Sequence, residues 1–453
     1  MISYRREFMQ MAVVAAIAAT PMAGLAMKID AGDRKPNVVI LFVDDLGQGD
    51  LGCFGNTSFP TPHIDSLARG GVRLTMNYIT NPPCSPSRSS LMTGMYAQRF
   101  GKFGMARGLA IPEDHPTVAE FMRDAGYVTG QIGKWDLGSA GQGPHQRGFT
   151  EVAKWAPNAG GRHLYNVKRP DGTTIYRTDL EGDYAVEFVE RNKDKPFFLY
   201  FSPLAIHTPL HETPGHYKAR IKGPHKEYGG AVAAVDEQVG KLLAVLRKHN
   251  LDKNTLILLT GDNGPHPKQG GSAAPYRGGK GNGTQQEGWV HTPGIAWWPG
   301  TLPAGQDFGG ITCTLDYYAT AAAIAGKKTP ERCDGKNLMP YLTGKKTGDV
   351  HDSICWYNAD PKDAVRRHLS AVRWKDWRLL MDQKTREWKL FDLKNDPQER
   401  NDIAGQHAEV VGEMKRMHAE FVAGLPSLDS IPAYDNTWAT PPEGWGWVIG
   451  DGK

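Results

Sequence analysis

The chain has 453 residues, 40% hydrophobic and 23% charged, enough to bury a sizeable core and incompatible with wholesale disorder. Its 53 basic and 49 acidic residues leave a formal net charge of +4, too small and too dispersed for a nucleic-acid binder, yet no obstacle to an anionic substrate. The five cysteines, Cys53, Cys84, Cys313, Cys333 and Cys355, form no CxxC pair and are too scattered for a disulfide framework or a thiolate metal centre.

The first predicted element is an export signal. Tyr4-Arg5-Arg6-Glu7-Phe8-Met9 precedes an apolar run from Met11 to Met22, and Gly24-Leu25-Ala26 follows as a small-x-small cleavage site. Residues 1–26 read as a twin-arginine-type signal, which would use the Tat export machinery and deliver the folded protein to the periplasm or outside the cell. The run is shorter than the roughly 20 residues that cross a bilayer, so no stable membrane anchor is expected. Export after folding in a reducing compartment leaves any disulfide to form late, with Cys313 and Cys333 the nearest pair.

Asn37 to Val43 is a continuous apolar, β-branched run, the pattern of a strand buried on both faces, and it ends in Asp44-Asp45. Helical stretches follow at 63–69 and 118–125. Phe197 to Phe201 is a second strand, with His207 beyond it. An amphipathic helix from about Gly230 to Lys248 leads to a third strand, Thr255 to Thr260, which ends in Gly261-Asp262-Asn263-Gly264. The alternation predicts an α/β fold with a doubly wound, mixed or parallel central sheet flanked by helices, over residues 36–345. Ligands in such sheets bind at the carboxyl edge, so Asp44-Asp45, Asp262-Asn263 and His207 point to one shared site. From Ile354 the texture changes. Ser370 to Arg373, Trp377 to Met381 and Trp388 to Asp392 are short half-apolar strands joined by turn residues, predicting a smaller C-terminal antiparallel sheet with a tail over 346–453.

Cys84-Ser85-Pro86-Ser87-Arg88, followed by Ser89-Ser90-Leu91-Met92-Thr93-Gly94, resembles the C-x-P-S-R signature of type I, formylglycine-dependent sulfatases, members of the alkaline phosphatase-like superfamily. The resemblance continues through Asp44-Asp45-Leu46-Gly47, Thr61-Pro62-His63-Ile64-Asp65, Gly133-Lys134-Trp135, Gly261-Asp262-Asn263-Gly264, and Leu390-Phe391-Asp392-Leu393 with Asp396-Pro397. It covers roughly residues 36–405, and several such motifs in family order are hard to obtain by chance. It implies a sulfuric ester hydrolase acting on an aryl sulfate or a sulfated carbohydrate. It also implies that a maturation enzyme oxidises Cys84 to formylglycine (3-oxoalanine). The hydrated aldehyde would offer one hydroxyl to attack sulfur and a second to expel sulfate later, covalent catalysis in two easier steps.

Asp44, Asp45, Asp262 and Asn263 are all-oxygen donors and, with the modified Cys84, suit calcium best; magnesium is second, and zinc is the weaker reading. The resemblance makes Arg88 the residue that orients the hydrated aldehyde and gives Lys134 and Lys280 the grip on sulfate oxygens. It makes His207 the acid that protonates the leaving alcohol. Two departures stand out. Asp136 replaces a histidine in Gly133-Lys134-Trp135-Asp136, and Trp289 and His291 replace a usual glycine and arginine after Glu287-Gly288. The first touches the chemistry; the second alters packing or the substrate rim. The loop 138–149 with His145 and Arg147, the segment 160–165, and Trp438, Trp445 and Trp447 carry the cations and aromatics that could contact a sugar. Two other readings compete: a phosphatase or phosphonate monoester hydrolase of the same superfamily, and an unconverted, non-enzymatic binder of sulfated glycans.

Overall fold

The computed structural model describes residues 34–104, 110–137, 142–154, 165–210, 212–281, 285–358, 369–431 and 446–450. The expected export signal lies outside them.

Eight strands alternate with helices to build the main sheet: β1 (Asn37–Val43), β2 (Val72–Leu74), β3 (Val128–Gly133), β4 (Glu151–Lys154), β5 (Phe197–Ser202), β6 (Thr255–Gly261), β7 (Gly294–Trp297) and β8 (Gln306–Phe308). A smaller sheet follows, of β9 (Ser353–Asn358), β10 (Leu369–Trp374), β11 (Trp377–Met381) and β12 (Trp388–Asp392). The tail returns as β13 (Gly446–Ile449) to pair antiparallel with β4. Among the described residues the main sheet then has nine strands in the order β8-β2-β7-β6-β1-β5-β3-β4-β13. Its centre is parallel, β6, β1, β5 and β3, while β7 runs antiparallel to both β6 and β2.

The helices used below are α1 (Pro62–Arg69), α2 (Cys84–Thr93), α3 (Val118–Asp124), α4 (Arg177–Asn192), α5 (Lys226–Lys248), α6 (Leu315–Ile324) and α7 (Ala408–Ala423). Strand β1 shows why the sheet is covered on both sides. Val39, Leu41 and Val43 join one core with residues of α1, α4 and α5, whereas Val38, Ile40 and Phe42 join a second core with α2, α3 and α6. All seven residues are buried, and each such aliphatic side chain contributes about 1.5–3 kcal/mol of transfer free energy. Helix α3 begins where its sequence dictates, with Thr117 accepting from the Glu120 N–H and Glu120 capping in return.

Helix α5 starts at Lys226 rather than after Gly229-Gly230. The glycine pair looks like a helix breaker but serves packing: a Cβ would come within 2.6 Å of the Phe59 ring at Gly229 and 2.8 Å of Thr213 at Gly230. No helix among the described residues is long and apolar enough to cross a membrane.

The small sheet uses its alternation twice. Ile354, Trp356, Leu369, Ala371 and Phe391 pack against Tyr78, Trp289 and Ile311 of the main body. The opposite face, with Val372, Leu379 and Leu390, is covered by Met414 of α7. Residues Lys35–Lys453 form one compact unit, so the two sheets share an interior. Cys313 and Cys333, the nearest pair in the sequence, are both free thiols.

Candidate active site

Strands β1, β3, β5 and β6 each hand their next residues to the same edge. Asp44 and Asp45 follow β1, Lys134 follows β3, Ser202 ends β5, and Asp262 and Asn263 follow β6. Cys84 is the first residue of α2, a helix buried along its whole length. The structure brings Asp44, Asp45, Cys84, Arg88, Lys134, Asp136, His207, Asp262, Asn263 and Lys280 together at this edge.

Ligand atoms of Asp44, Asp45, Cys84 and Asp262 lie within 4.8 Å of one another. The Cys84 sulfur is 3.4 Å from both Asp44 Oδ1 and Asn263 Oδ1, and its backbone N–H donates to Asn263 Oδ1 at 3.1 Å. Asn263 Nδ2 donates to Asp45 Oδ1 (2.7 Å), and the Asp45 N–H donates to Asp262 Oδ1 (3.1 Å). Asp45 makes that bond with a left-handed backbone, φ 59°, a conformation that aspartate tolerates better than most residues.

Three cations answer the carboxylates. Arg88 donates from Nε (3.0 Å) and Nη2 (2.6 Å) to Asp262 Oδ2, with Nη2 3.8 Å from Asp44. Lys134 Nζ donates to Asp44 Oδ2 at 2.7 Å. Lys280 Nζ donates to Asp45 Oδ1 at 2.8 Å and lies 3.3 Å from the Cys84 sulfur. Gly279 lets the Lys280 loop fold this closely: its φ is 148°, and a Cβ there would sit 2.3 Å from the Pro265 carbonyl oxygen.

Burial works against the Asp44 carboxyl, but Lys134, His207, Arg88 and Lys280 outweigh it and hold the carboxyl well below the usual range. Asp262 goes the other way. Burial and the charge of Asp44 push it up to about 7 despite Arg88. Three buried carboxylates competing for charge are what a hard divalent cation relieves, and with the Asn263 oxygen the donor set fits such an ion. Burial and the Asp262 and Asp44 charges also hold the Cys84 thiol well above its ordinary value. Unmodified, it would stay protonated and react poorly as a nucleophile.

A ring nitrogen of His207 lies within 4.8 Å of ligand atoms of Asp44 and Cys84. His207 Nδ1 is 2.6 Å from the Thr208 carbonyl oxygen, which as an acceptor places the proton on Nδ1 and fixes the tautomer. Burial lowers the His207 pKa below its ordinary value. Asp136 sits beside Lys134, with Oδ2 3.6 Å from its Nζ. Its φ is 56°, in the left-handed region where aspartate and histidine are both enriched, so the exchange of one for the other leaves the backbone path acceptable.

Some supporting residues gave no motif. Tyr200 Oη accepts from Arg88 Nη1 at 3.0 Å, and Ser202 Oγ accepts a shorter bond from the same nitrogen. A tyrosine and a serine inside the apolar run of β5 were the available signal. The Tyr165 hydroxyl donates to the His207 carbonyl, and the Tyr228 hydroxyl donates to Asp50 (2.6 Å) while lying 3.1 Å from the Asp45 carbonyl oxygen.

The sugar-contact expectations fare differently. Arg147 is turned inward and spent on Glu120 and on the carbonyls of Ile111, Pro112 and His115. Its guanidinium closes a loop. Residues 138–141 and 160–164, Trp438 and Trp445 lie outside the described residues. Trp447 packs on Tyr184, Phe188 and Arg191 of α4, which pins the tail. Trp289 and His291 are buried, so the second departure is one of packing and not of the rim.

The family model described as sulfatase matches residues 36–327, and that of the N-sulphoglucosamine sulphohydrolase C-terminal region matches 284–423. The N-acetylgalactosamine-6-sulfatase of Canis lupus familiaris is 30% identical over 90% of each chain. The steryl-sulfatase of Homo sapiens is 30% identical over 79% of this chain and 76% of its own. The crystal structure of Ps i-CgsB superposes with a TM-score of 0.78 at 31% identity, covering 87% of this chain and 94% of that one. The PsFucS1 sulfatase from Pseudoalteromonas sp. gives 0.72 at 27%, covering 86% and 91%. The phosphonate monoester hydrolase of Agrobacterium radiobacter, 20% identical, shares the fold. The match from β1 through α6 takes in every residue gathered at the sheet edge, and the chain belongs to the sulfatase family as an enzyme that hydrolyses sulfate esters.

Proposed function

We propose that the protein removes sulfate from a sulfated carbohydrate, with Cys84 converted to formylglycine and calcium held by Asp44, Asp45, Asp262 and Asn263. The placement of the Cys84 sulfur, within 3.4 Å of Asp44, Asn263 and Lys280 at once, carries this reading. A group at that point meets metal donors on one side and sulfate-binding cations on the other. When present, the aldehyde hydrate supplies the two hydroxyls and calcium supplies a hard Lewis acid.

The chain's own residues do the rest. Arg88 neutralises Asp262 through two N–H groups and is itself fixed by Tyr200 and Ser202, so its charge stands rigidly behind residue 84. Lys134 and Lys280 flank the same point and offer ammonium donors to terminal sulfate oxygens. His207 keeps its Nδ1 proton on the Thr208 carbonyl, and its Nε2 takes up a second proton, which the Asp44 charge favours against burial, before giving it to the leaving oxygen. Asp136 is the proton acceptor beside Lys134.

Support for a carbohydrate substrate comes from the relatives: one is named for N-acetylgalactosamine 6-sulfate, and Ps i-CgsB has been crystallised with k-i-k-neocarrahexaose at 30% identity to this chain. In the same reading the chain meets its maturation enzyme before Tat-dependent export and acts in the periplasm or outside the cell. The test is sulfate release from defined sulfated mono- and oligosaccharides, measured beside aryl sulfate, aryl phosphate and phosphonate monoesters. Sulfated sugars should be turned over fastest. Faster turnover of the phosphorus esters would overturn the reading.

A further inference from the structure

Leu390-Phe391-Asp392-Leu393 with Asp396-Pro397, at the end of the small sheet, contributes nothing to the sheet-edge site directly. Its local bonds build a tight turn. The Asp396 N–H donates to the Asp392 carbonyl (2.7 Å), the Glu399 N–H donates to the Asp396 carbonyl (3.1 Å), and Asp396 Oδ2 accepts from the N–H groups of Arg400 and Asn401. Glu399 leaves this turn with φ 50° and is 2% exposed. The turn delivers a carboxylate into the interior.

Glu399 meets the loop that carries Lys280 at both of its ends. On the near side, Arg277 Nη2 donates to the Glu399 carbonyl at 2.6 Å. On the far side, the Glu287 N–H donates to Glu399 Oε2 at 2.8 Å. Arg378 of β11 reinforces the second grip: Nη1 donates a short bond to Glu287 Oε2, Nη2 donates to the Gln285 carbonyl at 2.8 Å, and Nε lies 3.0 Å from Glu399 Oε1. The loop closes on itself between these points, with the Gly288 N–H donating to the Arg277 carbonyl and the Lys280 N–H to the Pro265 carbonyl, both at 2.8 Å. Buried charges linked this way are costly unless every partner stays in place.

We infer that Glu399 and Arg378 are positioning residues that clamp the chain on either side of Lys280, at Arg277 and at 285–287, and so hold the Lys280 ammonium against Asp45 and residue 84, making the small sheet part of the active site. The inference rests on the proposed role of Lys280. Misplacing a sulfate-gripping cation by about 1 Å is worth up to about 100-fold in rate, without loss of the fold.

Two variants test it, Glu399→Gln and the milder Arg277→Met, at a residue that is exposed. Each is made with and without Lys280→Ala and assayed for kcat and KM on a sulfate ester. Amide exchange at Lys280 and Gly288 is followed alongside. The clamp predicts losses of about 10- to 100-fold in kcat/KM when Lys280 is present and almost none when it is already alanine, together with faster exchange of both amides. Equal losses in both backgrounds, or unchanged exchange, would overturn it. If Glu399→Gln does not fold, Arg277→Met decides alone. Wild-type turnover in Lys280→Ala would remove the role of Lys280 instead, and exchange then decides whether the loop is clamped.

Discussion

The carboxyl edge of the main sheet and the small C-terminal sheet build their sites in opposite ways. At the edge, Asp44, Asp45, Asp262 and Asn263 directly follow buried strands, so their places are fixed by backbone alone and each side chain needs only to point forward. In the small sheet and the turn after it, Arg378 and Glu399 act through the ends of a loop, by long side chains buried against each other. Function at the edge is a matter of which donors are present; function behind the loop is a matter of where one ammonium is held.

The largest effects should come from the edge. Cys84→Ala and Asp45→Ala should each abolish turnover, by at least ~10³-fold, while circular dichroism stays that of the parent; Asp45→Ala should also melt lower, because alanine fits the left-handed backbone poorly and Lys280 loses this carboxylate. Exhaustive chelation should do the same to the parent, with calcium restoring activity. Undiminished rates with metal content verified as nil would take the ion out of the mechanism.

Asp136→Asn comes next. It keeps the shape and the tolerance for a left-handed backbone but cannot accept a proton, so kcat should fall by roughly 10²- to 10⁴-fold. Wild-type turnover in this variant would make Asp136 a structural neighbour of Lys134 and nothing more.

The small sheet should show itself in stability before it shows itself in chemistry. Burial and the Glu287 charge, against Arg378, push the Glu399 carboxyl from its ordinary 4.5 up to about 7. The folded state therefore binds a proton that the unfolded state has released, so this contribution to stability is complete below about 4.5 and is lost as pH rises toward 7. Melting temperatures of Glu399→Gln between pH 4.5 and 7 should fall less with pH than those of the parent. A parallel pair of curves would show that Glu399 does not titrate in this range.

The smallest catalytic effect is expected at Trp447, which sits over Arg191 at 4.3 Å and on the rings of Tyr184 and Phe188. Trp447→Ala should cost about 1 kcal/mol of stability with KM for a sulfated sugar unchanged. A raised KM would return this residue to the substrate side.

This division also explains what the sequence reveals. Strands such as 37–43 and 255–261 announce themselves because burial on both faces leaves only apolar, β-branched residues, and the polar residues after them can only lie at the edge. Arg88 and Cys84 are legible through the C-x-P-S-R spacing. Tyr200 and Ser202 are half legible, as polar residues in an apolar strand. The pair formed by Arg378 and Glu399 is not, because a buried ion pair joining positions far apart in the chain leaves no periodicity and no local composition. Arg147 misleads for a related reason: a cation in a glycine-rich loop suggests an anion in solvent, and only the fold shows Glu120 and three carbonyls waiting for it. Asp136 is visible as a departure from the family pattern, and its φ shows why the position accepts the exchange.

The most direct measurement correlates chemistry at residue 84 with turnover. Preparations made with graded amounts of a maturation enzyme can be digested, and the Cys84 peptide weighed for the loss of about 18 Da that marks formylglycine, while sulfate release is assayed on the same samples. Turnover should rise in proportion to the converted fraction and extrapolate to zero where all of the peptide carries a thiol. Full activity in a preparation whose Cys84 is entirely unmodified would contradict the proposed mechanism.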